Sequence, residues 1–186
     1  MRPQKVAHRD IMEGLLQVLR AKGYDGASLS DLAKASGLKK ASLYHRFPGG
    51  KQEMTTAVLG YVGEWVDANI LDVLLEEKKT TTERLELALA NIDELYNRGK
   101  SICIFRALTT HTGLELFGQQ IQAGMEKYVD AFTQLGTELQ MDPMEARKEA
   151  LQTLIDIQGG LIVSKGLQQE HIFEQTLKGI RERYYR

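Results

Sequence analysis

Apolar residues recur along this chain at the three-to-four spacing of a helix face, and nowhere with the sustained alternation of a half-buried strand. Ile11, Leu15, Val18 and Leu19 make such a face over residues 8–22, which Gly23 ends. The spacing returns in Met54, Val58, Tyr61, Trp65, Ala68 and Leu71 over 51–76, and in Leu85, Leu89, Ile92 and Tyr96 over 80–99. A short apolar segment follows at 101–110. Phe117, Ile121, Met125, Tyr128, Phe132 and Leu135 line a long helix over 114–139. Leu151, Leu154, Ile155, Gln158, Leu161 and Ile162 line another over 143–165, and Phe173, Leu177, Ile180 and Tyr184 a last one over 170–184. Asp142 is placed to cap the helix that Pro143 opens, and Thr82 to cap the helix from 80. The pattern predicts an all-α protein of about nine helices.

Between the first two long faces lies Ser28 to Lys51, SLSDLAKASGLKKASLYHRFPGGK. It reads as two short helices, Ser30–Ala35 and Lys40–Phe47, joined by a tight turn. Ser28 or Ser30 can accept a bond from an orphan amide in the opening turn. Ala33 is small enough for a close crossing. Gly37 can take the left-handed conformation that ends a helix. Leu32, Leu38 and Leu43 point inward, and Tyr24 packs across the three-helix head. The second helix then displays Lys39, Lys40, Ser42, Tyr44, His45 and Arg46. Cations and hydroxyls on one short helix suit the DNA major groove, where donors meet phosphates and base edges. An ordinary helical hairpin with a solvated charged face is the competing reading; it explains each feature singly but not their conjunction.

Pro48-Gly49-Gly50 breaks the chain before the long helix from Lys51. The free amides at that helix start, with the Lys51 ammonium, form a phosphate site. Gly50-Lys51 is not part of a nucleotide-binding P-loop, because His45 and Gln52 stand where that loop needs a glycine and a Ser/Thr.

Charge sharpens the division. Residues 1–51 carry ten Lys/Arg against four Asp/Glu, a net +6, whereas 52–186 carry 14 against 21, a net −7. A basic head on an acidic body fits a nucleic-acid-binding domain joined to a domain with another task. Residues 1–7 form a short basic arm able to reach the phosphate backbone. The single Cys103 excludes an intrachain disulfide and fits a reducing cytoplasm. No apolar run approaches the roughly 18 residues of a membrane span, and no signal-peptide core is visible. The expected location is the cytoplasm.

Tyr24, Ser28-Leu29-Ser30-Asp31-Leu32-Ala33, Gly37-Leu38, Ser42-Leu43-Tyr44-His45, Phe47-Pro48 and Lys51 together resemble the DNA-binding signature of TetR-type transcriptional regulators. Departures are Lys39 where the family often has a Ser/Thr cap, Ala41 where glycine is frequent, Arg46 for an aromatic, and a link to Lys51 longer by one residue. The resemblance implies a helix-turn-helix head over 1–50 and a roughly six-helix effector-binding and dimerisation domain over 51–186. It further implies a homodimer that binds a palindromic duplex operator and is released by a small-molecule effector. Lys39, Lys40, Ser42 and Tyr44 would meet base edges and nearby phosphates, His45 and Lys51 the backbone, and Ser28 a further phosphate.

In the second domain, Tyr61, Trp65, Tyr96, Cys103, Phe105, His111, Phe117, Met125, Tyr128 and Gln158 are large or polar-tipped residues on apolar faces. Ligand cavities are built from such residues, as are plain cores. The last two helices carry the dimer expectation, through Leu154, Leu161, Ile162, Phe173, Leu177 and Ile180, with Gly159-Gly160 letting a partner helix approach. No cofactor or metal motif occurs, since His8, His45, His111 and His171 are dispersed without a second ligand at metal spacing. The expectation is a non-enzyme. Two alternatives stand beside the regulator: a constitutive DNA-binding or architectural protein, and a small helical thiol enzyme using Cys103 and His111.

Overall fold

The computed structural model describes residues 6–185, and all regular structure among them is helical. The helices are α1 (His8–Gly26), α2 (Leu29–Ala35), α3 (Lys40–Arg46), α4 (Gly50–Val66), α5 (Thr81–Leu95), α6 (Ile104–Leu108), α7 (His111–Glu138), α8 (Pro143–Leu167) and α9 (His171–Tyr184). Beyond Val66, α4 runs on through a π turn, Asp67–Leu71, into a last α turn, Asp72–Leu74. The basic arm expected at 1–7 lies, but for its last two residues, outside the described residues.

The chain packs as two compact units. One ends at Val62 and takes in Ile104–Ile121; the other holds Gly63–Cys103 and the chain from Gln122 onward. The unit around the head thus contains more than residues 1–50.

In the first unit, α1 turns at Gly23, whose φ of 66° falls where the apolar face ends. Gly37 has a φ of 68°, the left-handed turn that separates α2 from α3. Ile11, Met12, Leu15 and Leu19 from α1 join Leu32, Leu43, Phe47, Met54 and Val58 in the core. Ala33 is buried on α2, and α1 approaches the end of α2 through Gly14, where a Cβ would run into the Ala35 carbonyl. Tyr24 meets Phe117 edge-on at 5.3 Å.

In the second unit, α5 is capped by Thr80, not Thr82. The Thr80 hydroxyl accepts from the Glu83 amide while the Glu83 carboxylate receives the Thr80 amide, a reciprocal box. The π turn of α4 is held from two directions: Asn69 Nδ2 donates to Trp65 O at 2.8 Å, and Asn91 Nδ2 on α5 donates to Asn69 O at 2.6 Å. Tyr96 and Phe173 pack edge to face at 6.0 Å, Tyr128 stacks on Phe132 at 5.3 Å, and Phe132 meets Tyr184 at 5.9 Å.

The inward face of α8 is made of small residues: Ala146, Ala150, Thr153, Gly160 and Ser164 are buried with Ile157 and Leu161. A Cβ at Gly160 would stand 2.6 Å from Thr176 Oγ1, so this glycine admits the chain's own α9. Leu151 and Ile155, which sequence spacing assigns to the inner face, are 50% and 53% exposed. No described helix is long and apolar enough to cross a membrane.

Arg84 is the buried charge of this unit, 4% exposed. Its Nη1 donates to Leu74 O at 2.8 Å, and its Nη2 pairs with the Glu138 carboxylate, whose pKa that bond lowers. One side chain therefore joins α5 to the last turn of α4 and to the end of α7. Replacing Glu138 by Ala strands the cation and should cost about 3 kcal/mol. Urea denaturation followed by circular dichroism measures this; a loss below about 0.5 kcal/mol, the size of an ordinary surface change, would contradict the role given to Arg84.

Candidate nucleic-acid interface

The helix-turn-helix is held by local bonds that the sequence encodes. Ser28 Oγ accepts from the Asp31 amide at 3.1 Å and donates to Asp31 Oδ2 at 2.6 Å. Lys22 pairs with the same carboxylate at 2.7 Å. The Lys22 bond, and next the Ser28 hydroxyl, lower the Asp31 pKa to about 2. Ser28 is therefore the cap of α2, and its hydroxyl proton is engaged inside the box.

On α3, Leu43 is buried while Lys40, Ala41, Ser42, Tyr44, His45 and Arg46 are exposed, as is Lys39 at the cap position. Lys39 has extended backbone and no side-chain cap bond. Every recognition-helix residue expected at the DNA, namely Lys39, Lys40, Ser42, Tyr44 and His45, thus lies on the surface of one short helix. Arg46 Nη2 lies 2.6 Å from His8 Nδ1, tying the end of α3 to the start of α1. Ala41 is exposed among these polar neighbours, and the reading of charges and hydroxyls alone passed it over.

Lys51 is half-buried. Its Nζ donates to Tyr24 O at 2.8 Å and Ala27 O at 3.2 Å, and stands 4.3 Å from the centre of the Tyr24 ring. Two of its protons are engaged within the head itself, where the sequence reading had assigned the ammonium to a phosphate.

The expected effector residues are divided between the two units. Tyr61, Phe105, His111 and Phe117 belong to the first; Trp65, Tyr96, Cys103, Met125, Tyr128 and Gln158 belong to the second. Tyr96, Cys103, Phe117 and Tyr128 are buried, the others half-buried, and His111 is exposed. Burial pushes the Tyr128 hydroxyl pKa well up. A groove of about 450 Å³ opens between α5 and α9, lined by Asp93, His171, Glu174, Lys178 and Arg181 among others, and none of the ten expected residues lines it. Cys103 is buried in one unit, whereas His111 is exposed in the other.

The dimer expectation needs correction at particular residues. Leu161, Phe173, Leu177 and Ile180 are buried against their own chain and offer no outer surface; Leu154 is half-buried. The outer face of α9 is polar, through Glu174, Gln175, Lys178 and Glu182. Ile162 alone of the six is exposed, at 48%, and Met144, Leu151 and Ile155 are exposed with it. At about 100° per residue these four fall within roughly 40° of one line along α8. Gly159 faces open space, while Gly160 faces α9.

A capped helix, a left-handed glycine turn and an exposed cationic helix, among described residues whose regular structure is all helical, define a helix-turn-helix DNA-binding protein. Residues 11–58 match the family model described as bacterial regulatory proteins, tetR family. The uncharacterized HTH-type transcriptional regulator YxaF of Bacillus subtilis is 25% identical over 158 residues, covering 83% of this chain and 82% of that protein. A TetR transcriptional regulator from Legionella pneumophila has the same fold, with a TM-score of 0.80 at 19% identity over 98% of each chain. A cysteine mutant of the TetR-family regulator CifR, solved with a 26-base-pair operator duplex, superposes with a TM-score of 0.72 at 20% identity over 97% of this chain and 98% of that one. Residues 11–58 thus match a TetR-type helix-turn-helix, and the chain as a whole has the fold of solved TetR-family regulators.

The Lys51 geometry predicts a stability role. Lys51→Met keeps the aliphatic stem and removes both charged hydrogen bonds, which should cost the head about 2 kcal/mol. Urea titration of the variant reads this, and unchanged stability would show that the two carbonyls are as well served by water.

Proposed function

We propose that the protein is a ligand-responsive repressor that binds a palindromic operator as a homodimer in the cytoplasm and is released by a small-molecule effector. The observation that carries the DNA part is the outer surface of α3, where Lys39, Lys40, Ser42, Tyr44 and His45 stand exposed on a helix anchored by Leu43. Lys39 and Lys40 supply phosphate and base-edge donors; Ser42, Tyr44 and His45 supply further hydrogen-bonding groups. Ser28 and Lys51 contribute by fixing α2 and the start of α4.

A single short helix reads few base pairs, so pairing two heads across a two-fold axis supplies the remaining affinity and makes the operator palindromic. The line of Met144, Leu151, Ile155 and Ile162 on α8 supports such pairing, because its spacing is that of a helix–helix seam and Gly159 beside it leaves room for a partner. Release by an effector follows if the ligand prefers a dimer whose heads are wrongly spaced; a ligand with equal affinity for both forms shifts nothing. α4 is the element able to carry the change, since it begins in the head and continues past Val62. The aromatic and polar-tipped residues from Tyr61 to Gln158 remain the candidate lining. A constitutive DNA-binding dimer is the second reading, favoured by the ring contacts that hold Tyr96, Tyr128 and Phe117 in their cores.

Selection from random duplex DNA with the purified protein should enrich a palindrome with half-sites about one helical turn apart or slightly more. Enrichment of nothing at both low and moderate salt would refute the DNA reading. In sedimentation, the double variant Ile155→Asp with Ile162→Asp should run as a folded monomer and lose duplex affinity; an unchanged dimer mass would remove α8 from the interface.

A further inference from the structure

The exposed residues of α3 are not equivalent. With Leu43 buried at 1% exposure, a rotation of about 100° per residue puts Ala41 and His45 each roughly 160° from it, one on either side of the outermost line. Lys40 and Tyr44 fall to one flank, Ser42 and Arg46 to the other. Phe47, one turn beyond Leu43, is also buried and fixes the same inward direction. The part of α3 that points farthest from its own core is therefore centred on Ala41 and His45, and the long cations stand at its sides.

Ala41 is the one aliphatic side chain among the exposed residues of α3. It is also the shortest, so it sets how closely the helix can approach a surface placed against that outer line. Its methyl can neither donate nor accept a hydrogen bond. In the major groove, the base-edge group that matches such a side chain is the 5-methyl of thymine, which adenine, guanine and cytosine lack.

We propose that Ala41 is a specificity-determining residue that reads a thymine methyl in each operator half-site. Lys40 on the flank is left to the phosphate wall, Arg46 stays bonded to His8, and His45, one turn from Ala41, meets the adjacent base edge. This rests on the DNA-binding reading above and adds to it the chemical identity of one base.

The test uses the duplex enriched by the wild-type protein. Each thymine is replaced in turn, symmetrically in both half-sites, by deoxyuridine, which removes the 5-methyl and leaves base pairing intact. Wild type should weaken at one thymine position by about fourfold per half-site, the effect of one methyl group returned to water. Ala41→Gly should bind the thymine and uracil duplexes equally at that position. The comparison is a ratio within each protein, so any fraying of α3 caused by the glycine cancels. A half-site without thymine, a wild type indifferent to every substitution, or an Ala41→Gly protein that still distinguishes thymine from uracil would each overturn the assignment while leaving DNA binding intact. Failure of the wild type to enrich any duplex would overturn the DNA-binding reading and this assignment with it.

Discussion

The ammonium of Lys51, held between Tyr24 O, Ala27 O and the face of the Tyr24 ring, fixes the start of α4 against the segment that joins α1 to α2. That segment needs a donor. α1 turns out of its regular path at Gly23, and beyond it the Tyr24 carbonyl receives a long backbone bond, from the Ala27 amide at 3.4 Å. A cation meets this need with two charge-assisted bonds from one atom. Because α2 begins at Leu29, directly after the anchored residues, the same contact limits where the helix-turn-helix can stand relative to α4. Ser28, Asp31 and Lys22 then fix the first turn of α2, and Arg46 with His8 fixes the end of α3. The helix-turn-helix that presents α3 is thus tied at the start of α2 and at the end of α3, and a fixed scaffold is a requirement for reading base edges rather than only phosphate charge.

The second unit rests on a different principle. Its helices approach through small residues, with Ala146, Ala150, Gly160 and Ser164 turning the plain side of α8 toward the chain's own core. Large apolar residues on the other side of α8, among them Leu151, Ile155 and Ile162, are left outward. Arg84 provides the polar counterpart, since one buried guanidinium bonds the end of α4 and the end of α7 at once. The π turn just before Leu74 is likewise pinned by Asn91 from α5. The terminal part of α4 is therefore tied into the second unit by hydrogen bonds from Arg84 and Asn91.

Much of the fold was legible in the residues themselves. The apolar spacing located each long helix to within a few residues, because the inward faces of α1, α5, α7 and α9 are built from large side chains at helical period. Gly37, Asp142 and Pro143 marked helix ends, and Gly23, expected as an end, is a kink within α1, since their effects depend on local backbone geometry alone. The head was legible for the same reason: capping, turn and exposed cations are encoded within a few neighbours of one another. Thr82 lies inside α5 rather than at its cap, because three threonines stand in succession and only Thr80 has Glu83 at the reciprocal distance.

What only the tertiary structure decided is which of two possible neighbours each group meets. The sequence placed Lys51 at a helix start facing a phosphate, but folding brings the Tyr24 and Ala27 carbonyls, distant in the chain, within its reach. The large apolar residues of α8 looked like core because periodicity counts size, whereas the true inner face follows the small residues that permit α9 to approach. Phe173, Leu177 and Ile180 were read as a surface between subunits and are instead the inside of one subunit. By itself the chain determined its helices, its basic head and the chemistry of α3, because these depend on residues close in sequence. Close packing between distant segments decided which apolar faces were used up within the fold and which were left outward.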